Sequence, residues 1–151
     1  MKPRFAHLLT LLILIAISSG CSSTRFKREW KKPIATAQQG MEGRWEGTWL
    51  SGKNGHTGKL RCIVEKEENG GHNFHFYATY WKFFSGAYET SFQVQGEESP
   101  FSFEGTHQLP KLFGGVYSYT GTATDTDFTA TYECRIDHGT FNMTRVQADQ
   151  K

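Results

Sequence analysis

Three cysteines and six histidines are the side chains here that could ligate a metal or attack a substrate. Metal centres need ligands at short fixed spacings, and neither Cys-x-x-Cys nor His-Glu-x-x-His occurs. His72 and His75 lie three apart in an alternating segment, which sends them to opposite faces of a strand. His56 and His138 fall in turns and His107 near a strand end, so the histidines read as surface residues. No metal and no other cofactor is expected. Nucleophilic catalysis lacks its signatures too, with no Gly-x-Ser-x-Gly and no phosphate loop. Glu89 and Glu104 are lone carboxylates on strands, where a solvated role is usual. No catalytic residue is assigned, and no enzyme is expected. Two residues say more: Cys21 by its place in the chain, and Arg145 by its neighbours.

Cys21 follows a basic start (Lys2, Arg4), an apolar run over Leu8–Ile17 broken only by Thr10, and the small residues Ser18-Ser19-Gly20. Ten apolar residues are too few to span a bilayer core of about 30 Å as a helix. Basic, apolar and small segments in that order describe a secretory signal peptide. The segment resembles a bacterial lipobox, although Ser18 stands where Leu is usual and Ile17 lies one place earlier. The resemblance implies that residues 1–20 are removed and that Cys21 becomes a lipidated N-terminus holding the protein to a membrane. Ser22, rather than Asp, follows the cysteine. By the family's sorting rule, that implies a bacterial cell envelope location at the outer membrane, facing the periplasm.

Behind the cysteine, residues 21–42 read as a basic linker. Arg25, Lys27, Arg28, Lys31 and Lys32 face only Glu29 and Glu42, a net +3 suited to anionic head groups or to water. Trp30 suits a membrane interface, and Ile34 to Gln39 a short helical turn. Residues 43–151 hold 10 basic and 13 acidic residues, so the whole-chain +2 separates into a basic stem and a mildly acidic head. That balance gives no footing for nucleic acid.

From Gly43 onward apolar and polar residues alternate, the mark of strands with one buried face. The pattern predicts eight strands: Gly43–Ser51, Thr57–Lys66, His72–Phe84, Tyr88–Glu97, Phe101–Leu109, Val116–Ala123, Phe128–Ile136 and Thr140–Val146. The links are short and turn-like, among them Glu68-Asn69-Gly70-Gly71, Ser85-Gly86-Ala87 and Asp137-His138-Gly139, so neighbouring strands must be antiparallel. The fold class expected is all-β, an eight-stranded antiparallel up-and-down barrel, because closure removes both sheet edges. A flattened sandwich is the alternative. Parity aims most of the 22 aromatic residues inward, while Tyr77, Trp81 and Phe83 fall on the outer face as a bulge or an exposed patch.

The same parity turns Arg145 inward with Phe141 and Met143, where a charge needs partners. In a closed barrel the last strand runs back beside the first, which puts Arg145 near Trp45. A guanidinium on an indole gains about 0.5–2 kcal/mol and keeps its donors for backbone carbonyls. Here the sequence resembles the lipocalins and related calycins. It has their Gly-x-Trp opening in Gly43-Arg44-Trp45 and an Arg late in the last strand. Thr126-Asp127 sits at the sixth turn, where that family carries Thr-Asp-Tyr. The body is shorter than theirs, without the long lid loop or the final helix, and is also similar to a group of small bacterial envelope proteins. Gly43, Trp45, Thr126, Asp127 and Arg145 are therefore expected to close the barrel.

Two functional readings stay open. About a dozen inward rings could fill the lumen, giving a rigid lipid-anchored head with a structural or interaction role. Alternatively Gly47, Ala78, Gly105, Gly121 and Ala130 leave room for a small apolar ligand, with Trp49, Phe76, Tyr80, Phe103 and Tyr119 lining it. Cys62 and Cys134 point inward from strands too far apart for ready bridging, so free thiols are the favoured expectation.

Overall fold

A computed structural model describes residues 22–34, 40–80 and 84–147, the Phe113 side chain excepted. The strands are β1 (Gly43–Ser51), β2 (Thr57–Lys66), β3 (His72–Tyr80), β4 (Phe84–Gln95), β5 (Phe101–Gln108), β6 (Val116–Ala123), β7 (Asp127–Glu133) and β8 (His138–Arg145). Each pairs antiparallel with the next, and β8 returns to β1, so the sheet is a closed up-and-down barrel. The sandwich alternative is thereby set aside. Parity is obeyed: Trp45, Leu60, Cys62, Phe74, Phe76, Phe92, Phe103, Phe128 and Met143 are buried in one core.

Boundaries move where side chains satisfy backbone groups that periodicity does not see. The predicted third turn, Ser85-Gly86-Ala87, lies inside β4, paired with Thr79, Ala78 and Tyr77. Small residues are tolerated in a strand when a full ladder satisfies the backbone, so β3 stops at Tyr80 and β4 starts four residues early. The seventh strand ends at Glu133 rather than Ile136, because Cys134 N–H donates to the Asp137 carbonyl at 2.8 Å and turns the chain.

The basic stem is not all linker. Residues 22–30 form a helix, α1, lying on the outer face of the barrel. Phe26 and Trp30, one helical turn apart, share a face, and Phe26 is 1% exposed. Its ring stacks on Tyr77 at 5.2 Å and meets His75 edge-on at 4.9 Å. Arg44 of β1 donates to the carbonyls of Trp30 and Glu29, both at 2.9 Å, and so caps the helix C-terminus. Trp30 does not wait for a membrane interface; it stacks against Phe26 and lies under the Arg61 guanidinium at 4.7 Å. Arg25 reaches Glu89 at 3.1 Å, an exposed pair of small energetic weight. Tyr77, expected on an outer patch, is half-covered by this helix. Trp81, Phe83, Cys21 and, of the turn expected over Ile34–Gln39, residues 35–39 lie outside the described residues. None of the helices among the described residues is long and apolar enough to cross a membrane.

His75 also departs from expectation: it is a buried histidine under α1, 5% exposed, with Ser22 Oγ 3.3 Å from its Nε2. Burial holds its pKa below the ordinary range, outweighing Glu89, whose carboxylate lies 3.6 Å away. A histidine whose folded pKa is depressed supports the folded form above its unfolded pKa, and that support is lost as pH falls through the folded value. Lowering pH from 8 to 5 is therefore expected to release α1, seen as faster amide exchange over 22–30 with the barrel amides still protected. Phe26→Ala should do the same at neutral pH. Losing ~3 kcal/mol of packing would speed that exchange on the order of 100-fold, whereas unchanged protection would show that the helix is held by other contacts.

Candidate functional site

The two ends of the barrel are built differently. At the end where β1 begins, Arg145 pairs with Trp45 across the β1–β8 seam, its guanidinium 4.1 Å from the indole centroid. Arg145 Nε donates to the Asp125 carbonyl and Nη1 to the Glu42 carbonyl, both at 2.6 Å, and Nη2 bonds the Gly40 carbonyl. Thr126 belongs to the same knot, since its carbonyl accepts the Arg145 backbone N–H at 2.8 Å and its hydroxyl donates to the Asp127 carboxylate. Gly43, at φ +128°, is where the chain swings into β1. The five residues expected to close the barrel do converge at this end. Above the Trp45 lid the lumen is packed solid by Phe74, Phe92, Phe103 and Phe128. The room that Gly105 and Gly121 seemed to leave is taken. A Cβ at Gly105 would sit 2.4 Å from the Phe92 ring, and one at Gly121 2.3 Å from that of Phe103.

The opposite end is hollow. A cavity of about 590 Å³ opens between the β1–β2, β5–β6 and β7–β8 connections. Trp49, Tyr80 and Tyr119, three of the five residues expected to line it, do so. Phe76 and Phe103 do not; both are buried in the packed half. The reason is strand tilt, which makes cross-strand pairing spiral around a barrel. Pairing leads from Trp49 through Phe141, Ala130 and Gly121 to Phe103, thus from the mouth down into the packed half. It leads likewise from Trp45 at the sealed end through Cys62 and Phe76 up to Tyr88 in the cavity wall. Parity separates in from out and is blind to height.

The wall is aromatic with a few fixed polar groups. Trp49 Nε1–H donates to the Thr79 carbonyl at 2.9 Å, an approach that Gly58 permits, since a Cβ there would sit 2.6 Å from that nitrogen. The hydroxyl of Tyr119 lies 3.3 Å from that of Tyr88. Burial pushes the Tyr88, Tyr119 and Tyr132 phenols up, so each stays protonated; Tyr119 donates to Tyr88 and Tyr132 to Asp137, which leaves the Tyr88 proton for another acceptor. Asp137, the one carboxylate in the wall, accepts from Ser51 Oγ at 2.7 Å, Tyr132 Oη at 3.0 Å and the His138 N–H at 2.8 Å. Three donors hold it in place. The Ser51 hydroxyl is thus bound to a carboxylate. The sequence treated Asp137 and Ser51 as turn residues; what joins them is the β1–β8 register, which pairs Ser51 with Gly139.

Cys62 and Cys134 are both free thiols, and burial raises the pKa of Cys62 well above its usual value. Among the described residues no three His, Cys, Asp or Glu side chains gather as a metal site. No protein-family profile, curated protein or solved structure matches the chain.

Arg145→Met should cost about 2–4 kcal/mol, because three carbonyls lose charged donors along with the ring contact. It should show as a lower denaturant midpoint at unchanged slope, with Arg145→Lys recovering part of it. A midpoint equal to that of wild type would mean that the seam holds without this residue.

Proposed function

We propose that the barrel is a non-catalytic binding module for a small, neutral, largely apolar molecule held in the open-end cavity. The observation that carries this reading is the cavity itself, about 590 Å³ within a lumen otherwise packed with rings. That volume is in the range of small-molecule sites. Aromatic walls favour a ring-bearing or chain-like apolar guest, the Tyr88 hydroxyl, which accepts from Tyr119, keeps its own proton to donate to one polar group, and Asp137 is already engaged by three donors of the wall. A rigid structural head, the other reading of the sequence, gives no reason for half the lumen to stay hollow.

The resemblance to the lipocalins, carried by Gly43-Arg44-Trp45, Thr126-Asp127 and Arg145, supports the same reading. The signal-like segment ending at Cys21 supports a lipid-anchored protein of the bacterial envelope, at the outer membrane and facing the periplasm. In that setting the guest would be an apolar compound of the envelope.

Ala78 faces the cavity from β3 and is 4% exposed, so Ala78→Phe would fill the space from its floor. The wild-type chain is expected to bind the neutral dye N-phenyl-1-naphthylamine with a rise in emission. Ala78→Phe, still folded by circular dichroism, should bind at least tenfold more weakly. Equal dye binding by the two would place the dye elsewhere and remove the cavity as a site.

A further inference from the structure

The five large hydrophobic side chains most exposed among the described residues are Leu50, Tyr80, Phe84, Leu112 and Val116. Their strands place all five at one end. Leu50 and Tyr80 close β1 and β3, Phe84 and Val116 open β4 and β6, and Leu112 tips the β5–β6 connection with 81% of its surface exposed. Together they ring the mouth of the cavity. Scattered apolar residues are ordinary on a surface, but their gathering at one end, with Tyr80, Phe84 and Leu112 in the cavity wall, marks a contact site.

Charge divides along the same axis. The described connections at the mouth, residues 52–56, 109–115 and 134–137, carry Lys53, Lys111 and Arg135 against Asp137 alone, three cations to one acid. The cations are part of the rim. Lys53 Nζ donates to the Ile136 carbonyl at 2.9 Å and Arg135 Nη2 to the Lys111 carbonyl at 3.1 Å, tying the three connections together. The connections at the sealed end, residues 67–71, 96–100 and 124–126, carry Glu67, Glu68, Glu97, Glu98 and Asp125 and no basic residue.

We propose that the mouth docks on an anionic phospholipid bilayer, with its apolar ring in the head-group boundary and Lys53, Lys111 and Arg135 at the phosphates. Apolar side chains beside lysine and arginine are the composition that binds such a surface, each cation there contributing about 1 kcal/mol. A second copy fits poorly. Mouth to mouth, it would set cations against cations, and its sealed end offers acids with no exposed large apolar side chain among the described residues. Acids at the far end are held away from the lipid charge. The inference goes beyond the cavity reading and does not depend on it, since the ring and the charges would bind whether or not the cavity takes a guest.

The test places an environment-sensitive fluorophore at the ring. The full chain carrying Cys21→Ser, Cys134→Ser and Leu112→Cys is labelled with a nitrobenzoxadiazole thiol reagent; of the native cysteines only Cys62 remains, and it is buried. The same chain with Glu97→Cys in place of Leu112→Cys reports the acidic end, and Cys21→Ser with Cys134→Ser alone supplies the background. On vesicles of phosphatidylcholine with one-third phosphatidylglycerol, the probe at 112 should shift to the blue and be quenched by lipids brominated in their acyl chains. The probe at 97 should not move. Changing Lys53, Lys111 and Arg135 to Gln should abolish the shift at 112. Three results would overturn the proposal: a probe at 112 that stays in water, equal shifts on neutral and anionic vesicles, or equal shifts at 112 and 97. A shift that grows with protein concentration in the absence of lipid would make a second copy the occupant and overturn it as well.

Discussion

The pairing of β8 with β1 is the constraint from which the rest of this architecture follows. Eight antiparallel strands left open would expose two rows of unpaired backbone groups, and closing the sheet satisfies both at once. Seven cross-strand pairs form that seam, from Trp45 with Arg145 to Ser51 with Gly139. Arg145 secures its lower end by reaching beyond the two strands. Its donors take the carbonyls of Gly40 and Glu42, where the chain enters β1, and of Asp125 in the turn before β7. One planar cation thus ties the chain entry, the last strand and the sixth turn to the face of one indole. A point charge such as lysine has no fork to divide among three carbonyls.

Sealing one end dictates what the other can be. Rings packed above Trp45 need space, and glycines supply it, with Phe92 lying where a side chain of Gly105 would be and Phe103 where one of Gly121 would be. The packed half therefore uses both its largest and its smallest residues. Toward the mouth the wall is made of Trp49, Tyr80, Tyr117, Tyr119 and Tyr132, several of which have polar atoms tied to the wall or to one another. A tyrosine whose hydroxyl is bound at the wall cannot also bend across the lumen, which keeps the upper half open. Asp137 serves the same end, anchoring Ser51 and Tyr132.

Outside the barrel, α1 changes what the basic stem is. Several of its cations engage the protein itself, Arg25 at Glu89, Lys32 at Glu29 and Lys27 over the Tyr77 ring at 5.5 Å. A second group of cations, Lys53, Lys111 and Arg135, lies in the connections at the mouth, which a charge count along the chain does not single out. The barrel has a chemical polarity along its axis, apolar and cationic at the open end and acidic at the sealed one.

Much of this was legible in the chain. Strand number, antiparallel order, closure, the inward face and the Arg145–Trp45 contact all follow from a period of two and short turns, because those properties are local or are forced by closure. The turn at Ser85-Gly86-Ala87 misled, since turn-forming residues are also acceptable in a fully paired strand. Phe26 was missed because a nine-residue helix has little stability alone and exists only against Tyr77 and His75, partners some 50 residues away in sequence. Height along the barrel was illegible for a geometric reason: tilted strands carry neighbouring pairs up or down the axis, so Phe76 and Phe103 look like Trp49 in sequence and end in the packed half. By itself, then, the sequence determined which side chains face inward and that the sheet must close. Only the tertiary structure decided where along the axis each ring sits, and so that one half of the lumen is filled and the other is open.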